Sequence, residues 1–125
     1  MIQKILLLCL AGSAGTLSRY FVGEWAHRFL GAHFPYGTLA VNLLGCLLIG
    51  FIGTLADERF WLGPQMRTIL LIGFLGAFTT FSSFTFETWN LFKQGQLALA
   101  GLNVGLSFIG CFLGLLIGVF AARGL

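Results

Sequence analysis

GFLGAFTTFSSFTFE, running from Gly73 to Glu87, decides how this chain is read. It lies inside an apolar block, Thr68 to Phe92, which is longer than the ~20 residues needed to cross a bilayer. Yet it is dense in rings and hydroxyls. Phe78, Phe81 and Phe84 recur at intervals of three, near one face of a helix, and Thr79, Thr80, Ser82, Ser83 and Thr85 fill the gaps. Two readings follow. Ser and Thr glue membrane helices together while Phe fills the spaces between them, which is packing. Alternatively, weakly positive ring edges beside hydroxyl donors form a surface suited to a small anion that has shed its water. Gly73 and Gly76 precede hydroxyls able to bond backbone groups, so a break over Ala77 to Thr80 is expected. A broken helix at mid-membrane exposes carbonyls to a cation and N–H groups to an anion. The competing expectation is a continuous, slightly bent helix whose hydroxyls bond the preceding turn.

Composition extends this reading to the whole chain. With 58% hydrophobic residues, 9% charged residues and a mean hydropathy of +0.94, most of the surface must face lipid. Four apolar blocks emerge: Ile5 to Trp25, Gly37 to Ala56, Thr68 to Phe92 and Leu97 to Ala122. The first connection carries His27, Arg28, His33 and Pro35, the second Asp57, Glu58, Arg59 and Pro64, the third Lys93, Gln94 and Gln96. These are short, so neighbouring helices run antiparallel and residues 1–125 form one domain. Lys4, the ILLLCLAG run and the AGSAG small residues resemble a signal peptide, but the continuation from Leu17 to Val22 favours a retained first helix. The net charge of +3 is spread singly, leaving no basic patch for nucleic acid; the expected partners are lipid and protein. Lys4, Arg59, Arg67 and Arg123 fall on one side of the membrane against Arg28 and Lys93 on the other. Four against two is a weak orienting bias, compatible with one orientation or with both.

The remaining spans carry small and polar residues at helical intervals. Gly101, Gly105, Gly110, Gly114 and Gly118 descend the fourth span, a pattern that lets backbones approach closely. Thr38, Asn42 and Gly45 share one face of the second. A carboxamide at this depth is costly unless it bonds another helix or lines water, and both roles remain open for Asn42. Cys9, Cys46 and Cys111 have no paired spacing, and His27 and His33 lack a third ligand, so metal and redox chemistry are not indicated. No nucleophile has a base beside it, which argues against an enzyme. Trp25, Trp61 and Trp89 lie near span ends, as interfacial anchors do.

RYFVG late in the first span, YGTLAVNLLGC in the second and GFLGAFTTFSSFTFE in the third together resemble the Fluc/CrcB family of bacterial fluoride channels, over nearly the whole chain. The resemblance implies an all-α, multi-pass protein of the bacterial plasma (inner) membrane. It further implies four-helix subunits with a broken third helix, assembled as a dual-topology antiparallel homodimer with two fluoride pores at the interface. Matched residue by residue, Phe81 and Phe84 correspond to the phenylalanines whose ring edges flank fluoride, and Asn42 to the pore asparagine that offers its amide N–H. Thr38, Ser83 and Ser107 take polar pore positions, and Arg19 sits at the aqueous vestibule. Gly76 and Thr79 correspond to backbone carbonyls that hold a structural sodium ion between subunits. Glu87 matches a polar position beyond the second phenylalanine. Ala77 stands where a second glycine is expected, and Asn103 where an aromatic hydroxyl is possible, which puts the fourth-helix lining in question. The function implied is passive export of fluoride from the cytoplasm. Two alternatives come from other classes. A small proton-coupled multidrug antiporter would need an intramembrane carboxylate, for which Glu87 is the candidate. A non-transporting assembly subunit would explain the glycines and leave the polar track without a role.

Overall fold

The computed structural model describes residues 1–125 and contains helices and no strands. Helix α1 spans Ile2–Leu30 and α2 spans Tyr36–Asp57. The third crossing is assembled from pieces: α3, Pro64–Thr68; a π-helical stretch, Ile69–Leu75; α4, Gly76–Phe78; and α5, Phe81–Lys93. Helix α6, Leu97–Arg123, completes the chain. Four segments are long and apolar enough to cross a membrane, Ile2–Leu30, Tyr36–Asp57, Pro64–Lys93 and Leu97–Arg123, giving a multi-pass membrane protein. Only 18 of 125 residues are buried, so most apolar side chains are available to lipid or to other protein surfaces.

The first span is longer than its hydropathy indicates. Charged residues close to a helix end reach the headgroups and need not terminate it. His27 and Arg28 therefore occupy the last turn of α1, where cations favour the helix C-terminus, rather than the connection. Glu24 is inside α1 as well. The chain turns at Gly31 and Gly95, whose φ values of +90° and +74° suit glycine.

Helices α2 and α6 pack along each other through glycine. A Cβ on Gly118 would lie 2.1 Å from the Leu47 carbonyl oxygen, and one on Gly50 2.2 Å from that of Leu115. Gly110 and Gly114 meet Leu43 in the same seam, whereas Gly101 and Gly105 face open space and take no part in it. The expected glycine ridge thus covers the second half of α6 only. Helix α1 approaches the π-helical stretch in the same manner, since a Cβ on Gly15 would fall 2.2 Å from the Phe74 carbonyl oxygen. Between these contacts Val41, Leu75 and Phe78 form a small core, with Val22, Leu48 and Phe74 packed on it.

Candidate functional site

The third crossing is interrupted at Thr79 and Thr80, whose backbones are extended (φ/ψ −89°/161° and −152°/117°). The Thr79 N–H and Oγ1 both donate to the Leu75 carbonyl at 3.0 Å, closing the first half. In a continuous helix the Thr80 N–H would donate to the Gly76 carbonyl. Here it donates to Asn42 Oδ1 at 2.8 Å, and the Thr80 carbonyl accepts from Asn42 Nδ2 at 2.9 Å. One carboxamide thus satisfies both backbone groups at the break, as a neighbouring strand would. Without it each would be left unbonded in an apolar setting. Thr80 also caps α5, since its Oγ1 accepts from the Ser83 N–H at 3.2 Å and donates to Ser83 Oγ at 3.0 Å. Gly45 makes room for this arrangement: a Cβ there would meet Thr79 Cγ2 at 2.0 Å.

Two cavities share Thr80 in their walls. The smaller, about 270 Å³, is polar and contains Arg19, Glu24, His27, Thr38, Ser83 and Glu87. Arg19 donates from its guanidinium to the Thr79 carbonyl at 3.3 Å, which sets a positive charge over the break. Thr38 Oγ1 donates to Glu87 Oε1 at 2.7 Å, while Glu87 Oε2 is buried without a partner. The larger, about 360 Å³, is walled by Asn42, Gly76, Thr79, Phe81, Phe84, Ser107 and Phe108, with Cys46 and Cys111. The Phe81 and Phe84 ring centroids are 5.5 Å apart and inclined at 49°, and Phe108 meets Phe84 edge-on at 6.0 Å. The two rings differ in setting: Phe84 is 5% exposed and Phe81 67%. Ser107 Oγ is buried and has no hydrogen-bond partner.

The sequence-derived positions therefore divide between two spaces, with Arg19, Thr38, Ser83 and Glu87 in the polar cavity and Asn42, Gly76, Thr79, Phe81, Phe84 and Ser107 around the ring-lined one. Phe78 parts from the other rings, because the break rotates α5 and leaves Phe78 in the core. Asn103 lines neither cavity; it is 1% exposed and donates to Thr88 Oγ1 at 2.9 Å. Sequence reasoning put Thr80 in the break without a role of its own, left His27 in the connection and passed over Glu24. Arg19, Gly23 and His27 stand at i, i+4 and i+8 on α1, a spacing that marks the polar face once the helix is known to continue to Leu30.

Free hydrogen-bond donors remain in the walls of both cavities. Asn42 commits one amide hydrogen and its oxygen to Thr80, and Ser83 Oγ, accepting from Thr80, keeps its own hydrogen. Ser107 keeps its hydrogen as well. Such donors, close to ring edges and one guanidinium, can replace the water around a compact anion.

Comparison with known proteins agrees with this chemistry. Residues 6–119 match the family described as CrcB-like protein, Camphor Resistance (CrcB). A fluoride-specific ion channel FluC of Rhizobium etli is 45% identical over 121 residues, covering 94% of this chain and 96% of the relative. Its namesake in Maridesulfovibrio salexigens is 47% identical over 82% of both chains. Another in Geotalea daltonii is 40% identical over 97% of this chain and 98% of its own. With a match across nearly its full length and relatives at 40–47% identity over most of both chains, this protein belongs to the CrcB family, that of the fluoride channels.

Proposed function

We propose that the protein is a passive, fluoride-selective channel, and that an ion passes between the polar cavity and the ring-lined cavity beside the Asn42–Thr80 clamp. That clamp is the observation that carries the reading. It holds a helix open at mid-span, as channels and transporters do where backbone must face an ion. Arg19 draws the anion into the polar cavity, and Ser83, the second Asn42 amide hydrogen and Ser107 then replace its water in turn. The edges of Phe81 and Phe84 supply positive potential without a net charge that would trap the ion. Fluoride grips its water harder than chloride does, so only a dense set of donors offsets its dehydration, and a narrow path excludes the larger ion. Thr38 directs its hydrogen to Glu87, so it contributes an anion donor only when that bond opens.

The exposed ring of Phe81 supports a path completed by a second subunit, and the weak Lys/Arg asymmetry supports an antiparallel one. In that homodimer, two symmetry-related paths flank the two breaks. Gly76 and Thr79 are suited to a structural sodium ion there: the break deprives the Gly76 carbonyl of its helical donor, and oxygen ligands suit a hard cation. Such an ion would neutralise carbonyls facing each other across the interface. Glu24 and Glu87 in one cavity are also what a proton-coupled antiporter would use. Fluoride efflux from proteoliposomes separates the two. A channel releases fluoride once valinomycin and potassium supply a counter-ion path, with no pH gradient; a protein that releases no fluoride under these conditions but moves an organic cation in exchange for protons down an imposed gradient supports the antiporter.

A further inference from the structure

Behind the Phe84 ring lies a hydrogen-bond relay that the permeation path does not use. Asn103, on α6, is 1% exposed and donates from Nδ2 to Thr88 Oγ1 at 2.9 Å. Thr88 Oγ1 in turn donates to the Phe84 carbonyl at 2.7 Å. The hydroxyl thus accepts from one helix and donates to the residue that carries the ring. The Phe84 ring itself is met edge-on by Phe108, also on α6. Both attachments tie α5 to α6, and α5 otherwise begins at a break with no helical bonds to the segment before it. Its pose therefore depends on lateral contacts.

The geometry points to Asn103 and Thr88 as positioning residues that set where the Phe84 ring stands in the path. This rests on the reading of Phe84 as a ring that contacts fluoride. A buried carboxamide tolerates few arrangements, because an orphaned amide costs more than the bond contributes. The relay therefore admits one register of α5 on α6. A leucine at position 103 keeps the branched shape and removes the register, so α5 can slide or rotate while remaining packed. A displacement of under an ångström is enough to separate a ring edge from a dehydrated ion.

The test uses Asn103→Leu, Thr88→Val, Thr88→Ser and Phe84→Ile, each purified, checked for monodisperse elution and reconstituted for fluoride and chloride flux. Asn103→Leu and Thr88→Val are expected to lower fluoride flux roughly fivefold or more, the factor corresponding to one buried hydrogen bond of ~1 kcal/mol, and to narrow the fluoride-to-chloride ratio. Thr88→Ser, which keeps the hydroxyl, is expected to retain wild-type flux. The double variant Asn103→Leu/Thr88→Val should be no worse than Thr88→Val alone, because the Thr88 hydroxyl carries both bonds of the relay. Wild-type flux in Asn103→Leu beside a collapse in Phe84→Ile would overturn the positioning role and leave the ring's role intact. Wild-type flux in Phe84→Ile would remove the ring's role and this one with it. Loss of monodisperse elution in both Asn103→Leu and Thr88→Val would overturn it too, by making the relay a support of the fold.

Discussion

The seam between α2 and α6 and the break between α4 and α5 use similar small residues to opposite ends. In the seam both helices run uninterrupted, and glycine lets Gly50 and Gly118 lie against the Leu115 and Leu47 carbonyls. At the break the backbone gives up its helical partners and borrows Asn42, which leaves hydroxyls and an amide hydrogen free. The seam is therefore a steric device and the break a polar one. Damage to the first should unfold the protein, and damage to the second should silence it.

The largest expected effect is in the seam. Gly118→Val or Gly50→Val forces a side chain into backbone and should cost 3 kcal/mol or more on the order-of-magnitude scale for overpacking. Loss of monodisperse elution and a lower melting temperature would show it; variants that elute and conduct normally would mean the helices are not in this register. Next comes the clamp. Asn42→Leu orphans the Thr80 N–H and carbonyl, at roughly 1–3 kcal/mol each, and should abolish fluoride flux while most of the helix content by circular dichroism survives. A variant that still conducts would show that the break does not depend on the amide. Phe81→Ile and Phe84→Ile keep apolar bulk but remove the positive edges, so flux should fall strongly with elution unchanged. Normal flux in both would return the rings to packing.

Much of this contrast is legible in the sequence, and the reasons are physical. Span number follows from block length and charge, and the break is signalled by hydroxyls crowded behind Gly73 and Gly76. Glycine spacing identifies α6 as an interface but does not separate Gly118, which meets backbone, from Gly105, which meets nothing, because that depends on where α2 crosses. The π-helical turns from Ile69 to Leu75 have the composition of any apolar helix and leave no trace in the pattern. Phe78 shares its spacing with Phe81 and Phe84, and only the break between them sends it to the core. The polar cavity was half hidden because Glu24 and His27 are read as a helix end unless the helix is known to continue.

The smallest effects sharpen the contrast from its margins. Gly105→Ala points into open space and should change stability by less than about 0.5 kcal/mol. At the membrane surface the Arg123 guanidinium holds the Glu58 carboxyl below its ordinary value of 4.5. A lowered folded-state pKa means that this pair stabilises the fold above the ordinary carboxylate value and is lost as pH falls through the folded one. Both groups are exposed, so the melting temperature of Glu58→Gln should differ little from wild type at pH 7 and match it once the pH lies well below the folded-state value.

The central claim is that donors and ring edges at the break select the smallest halide, and it is met most directly by loading proteoliposomes with equal fluoride and chloride and following both ions after valinomycin is added. The account predicts rapid loss of fluoride with chloride retained. Equal efflux of the two halides, or retention of both by monodisperse protein, would contradict it.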